Sequence, residues 1–516
     1  MEALRAKEIA EAVGGIILCG DENIFITSVG TNSKNMEEHS LFVPIAGERV
    51  DAHDYIESAF QNGAVACFTS RHKGIIHDAP EINRSSGTLP GVKVYIGVED
   101  TLKALQALGT FYRSRFNIPV IGITGSAGKT TTKEMVAAAL GTKYNVLKTE
   151  GNMNSQIGLP LMMLRMNSQH EIAVIEMGMS EEGEMAKLTE IAKPEAAIMT
   201  NIGVSHIAQL KTKENIRKEK LNIINSFHYD SVLFINGNDD LLSELYQSDK
   251  EALTDLNICQ KTRGKFVNTK VVSYGTEDFC DYRAEDIHTV NGETHFILGK
   301  NPGNNSMQEH KQFQTGYNNP GENSNSQPGD GEEIALKVLG MHNVFNALAA
   351  LAVAEHYHIP VNTAKKGLYD YQPIAMRGQI KEVNQIKIID DSYNASPDSM
   401  KSGIHVLLEL EGINRRIAVL ADVLELGGLS QQCHYDVGVY ITGQKIDEVI
   451  TVGKEASYIA KAIQDKNTNI ATRSFMRNED AIEYLLTHLK IGDGILVKGS
   501  RGMKTDEIVK AISQEK

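Results

Sequence analysis

The residues best equipped for chemistry lie in the run Thr124-Gly125-Ser126-Ala127-Gly128-Lys129-Thr130-Thr131. Glycines at 125 and 128 let backbone N–H groups turn inward with no Cβ in the way. Such N–H groups, with the start of a helix behind them, make a cradle for phosphate. In that setting Lys129 reaches the β- and γ-phosphates and the Thr130 hydroxyl holds Mg²⁺. A short apolar run, Ile118 to Ile123, precedes the turn, and helix formers from Lys133 to Leu140 follow it. Strand, tight turn and helix are what the cradle needs, so the chain is expected to use ATP. Ile123 stands where the common phosphate-loop signature has its first glycine. An ordinary Gly-rich turn would leave Lys-Thr-Thr at the helix start without a reason.

Further polar clusters sit where strands are expected to end, which is where open α/β sheets place ligands. Glu176 ends Val174-Ile175-Glu176, and His206 closes Thr200-Asn201-Ile202-Gly203-Val204-Ser205-His206. Both side chains suit Mg²⁺ beside a nucleotide; taken alone, each reads as a cap or a structural side chain. Gly151-Asn152-Met153-Asn154-Ser155 offers amides to phosphate or carboxylate, or is simply an Asn-rich turn. Asp390-Asp391-Ser392-Tyr393-Asn394 offers ribose or metal contacts, or an N-cap for a helix over 397–410. Lys498-Gly499-Ser500-Arg501 is expected to open the last helix and to attract an anion such as a carboxylate.

The elements that must position these groups fall into three blocks. The fold class expected is α/β with three domains. Residues 1–115 form a smaller mixed α/β domain without a phosphate loop, with a helix near Tyr55–Asn62. Residues 116–372 form a central, doubly wound parallel sheet of the phosphate-loop type. Its strands are expected at 171–176, 196–200 and 231–235, and a hairpin turns at Asn291-Gly292. Within it, 299–332 is rich in Asn, Gly, Gln and Pro and is read as a surface insertion. Residues 373–516 form a second, Rossmann-like α/β domain with strands near 386–389, 416–420, 448–452 and 494–497.

Composition narrows the function classes. A net charge of −14 disfavours a nucleic-acid partner, which would want a basic face. No run of about 18 apolar residues suggests a membrane span. Five scattered cysteines without a Cys-x-x-Cys pair fit a reducing compartment, so a cytoplasmic location is expected.

Taken together the motifs resemble those of the Mur ligases, across the chain apart from 299–332. The loop is close to the family's Thr-Gly-(Thr/Ser)-Asn-Gly-Lys-Thr, with Ala127 for Asn. Gly151-Asn152-Met153-Asn154-Ser155-Gln156-Ile157-Gly158, Glu176-Met177-Gly178 and Asn201…His206 resemble further family motifs. So does Gly340-Met341-His342-Asn343-Val344-Phe345-Asn346-Ala347, the adenine motif. Asp390-Asp391-Ser392-Tyr393-Asn394-Ala395-Ser396-Pro397 resembles the mark of the branch that adds D-alanyl-D-alanine. Leu424-Glu425-Leu426-Gly427…His434 and Lys498-Gly499-Ser500-Arg501-Gly502 extend the likeness.

The resemblance implies ATP- and Mg²⁺-dependent amide formation between UDP-N-acetylmuramoyl-tripeptide and D-alanyl-D-alanine through an acyl phosphate. The product would be the pentapeptide precursor of peptidoglycan, a cell-wall material, and the enzyme a monomer. It implies catalytic roles for Lys129, Glu176, His206 and Lys220, the last as a carbamate fourteen residues past His206. Asn222 stands where the family has an acid. Thr130, Glu176, His206 and Lys220 would hold metal. Gly125 to Thr131, Asn343, Asn346, Arg377 and Asp391 would hold the nucleotide. Substrate would meet Ser33, Lys34, Asn152, Asn154, Ser155, Tyr393, Asn394, Lys498, Ser500 and Arg501. Ser33-Lys34 replaces the more common Ser-Arg, and Asp51-Ala52-His53 replaces Asp-Gly-His.

Three other readings stand beside this one. A ligase adding the third amino acid would carry Asp-Asn-Pro-Arg in the last domain, which this sequence lacks. A folylpolyglutamate-type synthetase would lack Asp-Ser-Tyr-Asn-Ala. A regulatory phosphate-loop ATPase would hydrolyse nucleotide without needing both acceptor substrates.

Overall fold

Apolar runs alternate with amphipathic stretches along much of the chain, and runs such as Val120–Thr124, Ile172–Glu176 and Val232–Asn236 become strands buried throughout. The computed structural model describes residues 1–47, 50–71, 93–247, 259–262, 265–268, 270–301 and 331–514. Most of the 299–332 insertion therefore lies outside the described residues. Its ends are strand: Glu293–Lys300 pairs antiparallel with Glu332–Leu336.

The first five-stranded sheet runs in the order Ile16–Cys19, Val94–Gly97, Ala64–Thr69, Ser40–Phe42, Ser28–Gly30. Helix Thr101–Arg113 leaves it, capped by the Asp100 carboxylate on the N–H groups of Leu102 and Lys103. It crosses to the next unit so closely that a Cβ on Gly109 would lie 2.9 Å from Pro160.

The central sheet has nine strands. Val146–Lys148, Ile172–Glu176, Val120–Thr124, Ala196–Met199, Val232–Asn236, Lys270–Gly275 and Tyr282–Val290 lie parallel in that spatial order. Glu293–Lys300 and Glu332–Leu336 then add antiparallel. The sheet is thus mixed rather than wholly parallel, because Asn291 and Gly292 both hold positive φ and reverse the chain in a two-residue turn. Strand order reverses beside Val120–Thr124, so the crevice at its carboxyl end is a topological switch point.

The last sheet runs Gln379–Val383, Ile386–Asp391, Asp493–Lys498, Arg415–Ala421, Glu448–Val452, Ala471–Phe475, parallel except for its first strand. Helix Pro397–Glu409 begins with the Ser396 hydroxyl accepting from the Ser399 N–H. One expectation fails here. Lys498-Gly499-Ser500-Arg501 does not open the last helix; a short 3₁₀ turn, Arg501–Met503, intervenes and that helix is Asp506–Ile512. The left-handed backbone of Lys504 separates the two.

Candidate active site

Strand Val120–Thr124 delivers the chain to a turn that only glycine can make. Gly125 has φ +152°, and a Cβ there would lie 1.9 Å from the Thr200 hydroxyl; Gly128 has φ +81°. The neighbouring strand end clamps this loop. Ala127 N–H donates to Asn201 Oδ1 (2.8 Å), Asn201 Nδ2 and the Thr200 hydroxyl donate to the Ala127 carbonyl (3.2 and 2.5 Å), and Ser126 N–H donates to the Asn201 carbonyl (3.0 Å). Asn201, named in the sequence as the polar residue opening the motif that closes at His206, thus serves as the clamp of the loop. Its signal was a polar side chain ending the strand beside the loop.

Helix Lys129–Leu140 starts at Lys129, whose Nζ donates to the Gly125 carbonyl at 2.8 Å. Burial lowers the Lys129 pKa, Arg377 adds to the fall, and Glu176 opposes it. The next residue, Thr130, donates its hydroxyl to Glu176 Oε2 (2.9 Å), and Asn154 Nδ2 donates to Glu176 Oε1 (2.7 Å). Glu176 itself is 3% exposed, with its N–H fixed on the Thr149 hydroxyl (2.9 Å). A buried carboxylate facing a phosphate cradle with neutral donors only is suited to a cation. Among the described residues no three His, Cys, Asp or Glu side chains converge. An ion here therefore needs oxygens from Thr130 and from phosphate as well as Glu176. His206 lies in the same wall at φ +62°.

Lys220 sits in helix Lys213–Leu221 and is 2% exposed. Burial holds its amine well below the ordinary lysine range; the charge of Lys129 adds to this and Glu219 opposes it. It forms no salt bridge among the described residues. The usual reading of a helix lysine, a solvated surface group, does not apply.

The facing wall comes from helix Met341–His356 and the last sheet. The Thr132 hydroxyl donates to Asn346 Oδ1 (2.8 Å), Asn346 Nδ2 to Asn343 Oδ1 (3.2 Å) and Asn343 Nδ2 to the Leu339 carbonyl (2.7 Å). This chain of amides ties that helix to the phosphate-loop helix. His342, not singled out for a role in the sequence, lines the cleft. Burial pushes its pKa down to about 4, with Lys498 and His405 adding to the fall and Asp391 opposing it. Arg377 stacks its guanidinium 4.0 Å over the Tyr393 ring, and Arg501 lies 5.8 Å from the same ring.

Two residues expected at substrate are engaged by partners within the last domain, although Lys498 also lines the cleft. Lys498 is 2% exposed, with Nζ 2.5 Å from Asp391 Oδ2 and 3.0 Å from the Asn394 carbonyl. Ser500 is buried, its hydroxyl accepting from the Leu424 N–H at 2.9 Å. Only Arg501 of that turn faces solvent, 3.3 Å from Asp506. Asn152, Asn154, Ser155, Tyr393 and Asn394 line the cleft. Ser33 and Lys34 stand apart from it, beside the first sheet. There the Ser33 carbonyl accepts from Asn62 Nδ2 (2.8 Å) and the Lys34 N–H donates to Asn32 Oδ1 (3.1 Å).

The cleft between the two sheets measures about 600 Å³, within the usual range of sites for small ligands. A clamped phosphate loop facing a second α/β sheet defines a nucleotide-using enzyme whose chemistry runs between domains. The chain matches the Mur ligase family, catalytic domain, over residues 25–138, the Mur ligase middle domain over 123–354 and the Mur ligase, glutamate ligase domain over 376–501. It is 37% identical to the UDP-N-acetylmuramoyl-tripeptide–D-alanyl-D-alanine ligase of Bacillus subtilis, over 98% of this chain and 97% of that one. It superposes on crystal structures of MurF from Acinetobacter baumannii (TM-score 0.80, 26% identity, 99% of both chains) and of the MurF ligase from Thermotoga maritima in complex with ADP (TM-score 0.73, 25% identity, 95% and 97% covered). This chain belongs to the Mur ligase family.

Proposed function

We infer that the chain is an ATP-dependent ligase that joins D-alanyl-D-alanine to UDP-N-acetylmuramoyl-tripeptide. The observation that carries this is the cleft itself, where the Gly125–Thr130 cradle faces the Asp391–Asn394 loop of the last sheet. The full-length likeness to ligases of that name supports it.

A carboxylate is a poor electrophile at neutral pH, and phosphorylation gives it a leaving group. The terminal carboxylate oxygen of the tripeptide attacks the γ-phosphorus and ADP departs. The free amine of the dipeptide then attacks the acyl carbon, phosphate leaves and the amine sheds a proton. Catalysis here is positioning and charge neutralisation. Backbone N–H groups of the loop and Lys129 hold the phosphates. Asn343, Asn346 and Arg377 hold the nucleotide from the facing wall, and Asn152, Asn154 and Ser155 lie where the acceptor carboxylate must approach. Asp391 acts through its pair with Lys498, fixing Tyr393 and Asn394 at the cleft, and Arg501 is the cation left to meet the dipeptide carboxylate. Thr130, Glu176, His206 and Lys220 are the residues that would hold Mg²⁺, which neutralises phosphate charge when bound. Burial lowers the Lys220 pKa and so favours the unprotonated amine, the form that adds CO₂, and we assign Lys220 the carbamate role on that ground. Ser33 and Lys34 belong to the UDP end of the substrate.

We place the enzyme in the cytoplasm as a monomer. No helix among the described residues is long and apolar enough to cross a membrane. A product assay tests the whole reading: ATP, D-alanyl-D-alanine and each UDP-tripeptide, read by mass spectrometry. The dipeptide-extended product is expected, with phosphate released only when both acceptors are present. Phosphate release independent of them would mark a nucleotide switch and overturn the reading.

A further inference from the structure

His206 and Glu425 meet across the domain boundary. His206 belongs to the loop after the central strand Ala196–Met199, and Glu425 to the loop after Arg415–Ala421 of the last sheet. Glu425 Oε2 lies 2.9 Å from His206 Nδ1. That nitrogen is sealed from solvent and has Glu425 as its charged neighbour. Both residues hold left-handed backbone, φ +62° at His206 and +66° at Glu425. Strained non-glycine backbone persists only where the surroundings over-determine it, and it clusters at functional contacts.

The surroundings are specific. The Glu425 turn is anchored from behind, because Leu424 N–H donates to the Ser500 hydroxyl and Leu426 is buried. In front, Gly427 has φ +55° and a Cβ there would sit 3.0 Å from the Ala208 Cβ. A second approach lies nearby, where a Cβ on Gly203 would meet Asp398 Oδ2 at 2.7 Å. The last domain therefore docks on the Gly203–Ala208 segment through a close-fitting turn that carries one carboxylate.

We propose that Glu425 is a positioning residue that completes the metal site from the other domain, by holding His206 in the tautomer and orientation that leave Nε2 for the ion. A histidine that ligates a metal usually gives its other ring N–H to a carboxylate, which fixes the tautomer and raises the ligand's basicity. Here the carboxylate reaches His206 only when the domains are docked. Metal affinity is thereby coupled to closure, and the open enzyme holds the ion less well. The inference rests on the metal role given above to His206.

The test measures Mn²⁺ binding to the full chain with the non-hydrolysable β,γ-methylene analogue of ATP, by titration calorimetry. Glu425→Ala should weaken Mn²⁺ about tenfold, the lower end for loss of such a partner, since the Glu425 side chain is 59% exposed. Glu425→Gln keeps an acceptor for Nδ1–H and should restore most of that loss. Gly427→Ala, which pushes the turn off Ala208, should weaken Mn²⁺ with Glu425 still in place. In steady state, Glu425→Ala should lower kcat and leave the KM for dipeptide unchanged. Wild-type Mn²⁺ affinity in Glu425→Ala, with His206→Ala weakened, would overturn the inference and spare the metal reading. Wild-type affinity in His206→Ala would overturn the metal reading itself.

Discussion

Lys498→Met separates what the last turn does from what its charge suggests. The lysine stem is buried and methionine fills much of its volume, so the change removes chiefly the ammonium. Lost with it are the 2.5 Å contact to Asp391 and the 3.0 Å bond to the Asn394 carbonyl. Breaking a buried ion pair from one side typically costs ~3–5 kcal/mol, because the remaining charge is left without a partner. The Asp391 side chain is 22% exposed, so water recovers part of this, and roughly 2–3 kcal/mol is expected. Adding Asp391→Asn removes the orphan charge and should return most of the loss. A chain of several domains does not unfold in one two-state step. The readout is therefore hydrogen exchange by mass spectrometry in the intact protein, followed in strands Ile386–Asp391 and Asp493–Lys498, which the pair joins. Those strands should exchange faster in the single variant and recover in the double. Unchanged exchange in the single variant, or a double variant no better than the single, would refute the argument and return Lys498 to the role of a substrate cation.

Lys129→Ala should nearly abolish ligation in a folded protein, since one aimed charge at a transition state is worth ~3 kcal/mol, on the order of 10²–10³ in rate; near-normal turnover would remove Lys129 from the phosphate site. Lys220→Ala should be almost inactive and partly rescued by acetate, and intact-protein mass spectrometry under CO₂ should show the adduct on the wild type alone. Arg501→Ala should raise the KM for D-alanyl-D-alanine more than that for ATP, as loss of a ground-state anion contact; the reverse pattern assigns Arg501 to the nucleotide. His342→Gln should flatten the acid limb of stability. His342 is neutral when folded, while the unfolded chain takes its proton below about 6.5, so stability falls as pH drops from there toward its folded value of about 4. The full effect is at most about 3 kcal/mol, and an unchanged pH profile of hydrogen exchange in the variant would exclude it.

Strands buried on both faces were the most legible part of the chain. Ile172–Glu176, Ala196–Met199 and Glu448–Val452 lie within a residue of where apolar runs end and polar residues begin. Asn291-Gly292 marked its hairpin because two successive positive φ values leave few residue choices. Ala471–Phe475 and Gln379–Val383 were not legible, since each is an edge strand without a continuous apolar run. At the site, residue types foretold the phosphate cradle but not what each polar side chain would face. Lys498 illustrates the limit. A Lys-Gly-Ser-Arg turn after a strand reads as an anion trap, yet the parallel pairing of Asp391 with Lys498 sets the two charges side by side on adjacent strands. Sequence separation of 107 residues hides that pairing. Lys220 is the opposite case, a charged helix residue whose burial only tertiary packing reveals.

The polar residues of this site divide by origin, and the division bears on mechanism. Within the central unit, Thr130, Asn154 and Glu176 are already joined by hydrogen bonds, so that half is set before any ligand arrives. Within the last sheet, Asp391, Lys498 and Asn394 are likewise joined. The contacts between the halves are fewer: Glu425 meets His206, and Gly203 packs closely against Asp398. Exposed ion pairs of this kind contribute little alone, typically under 1 kcal/mol. Two rigid half-sites held by weak contacts can separate to admit substrates and release product, and can close without rebuilding either half. The energy that favours the closed state must then come mainly from ligands that touch both walls. On the proposed function, nucleotide and tripeptide would together be such ligands, since each would touch a different wall of the cleft.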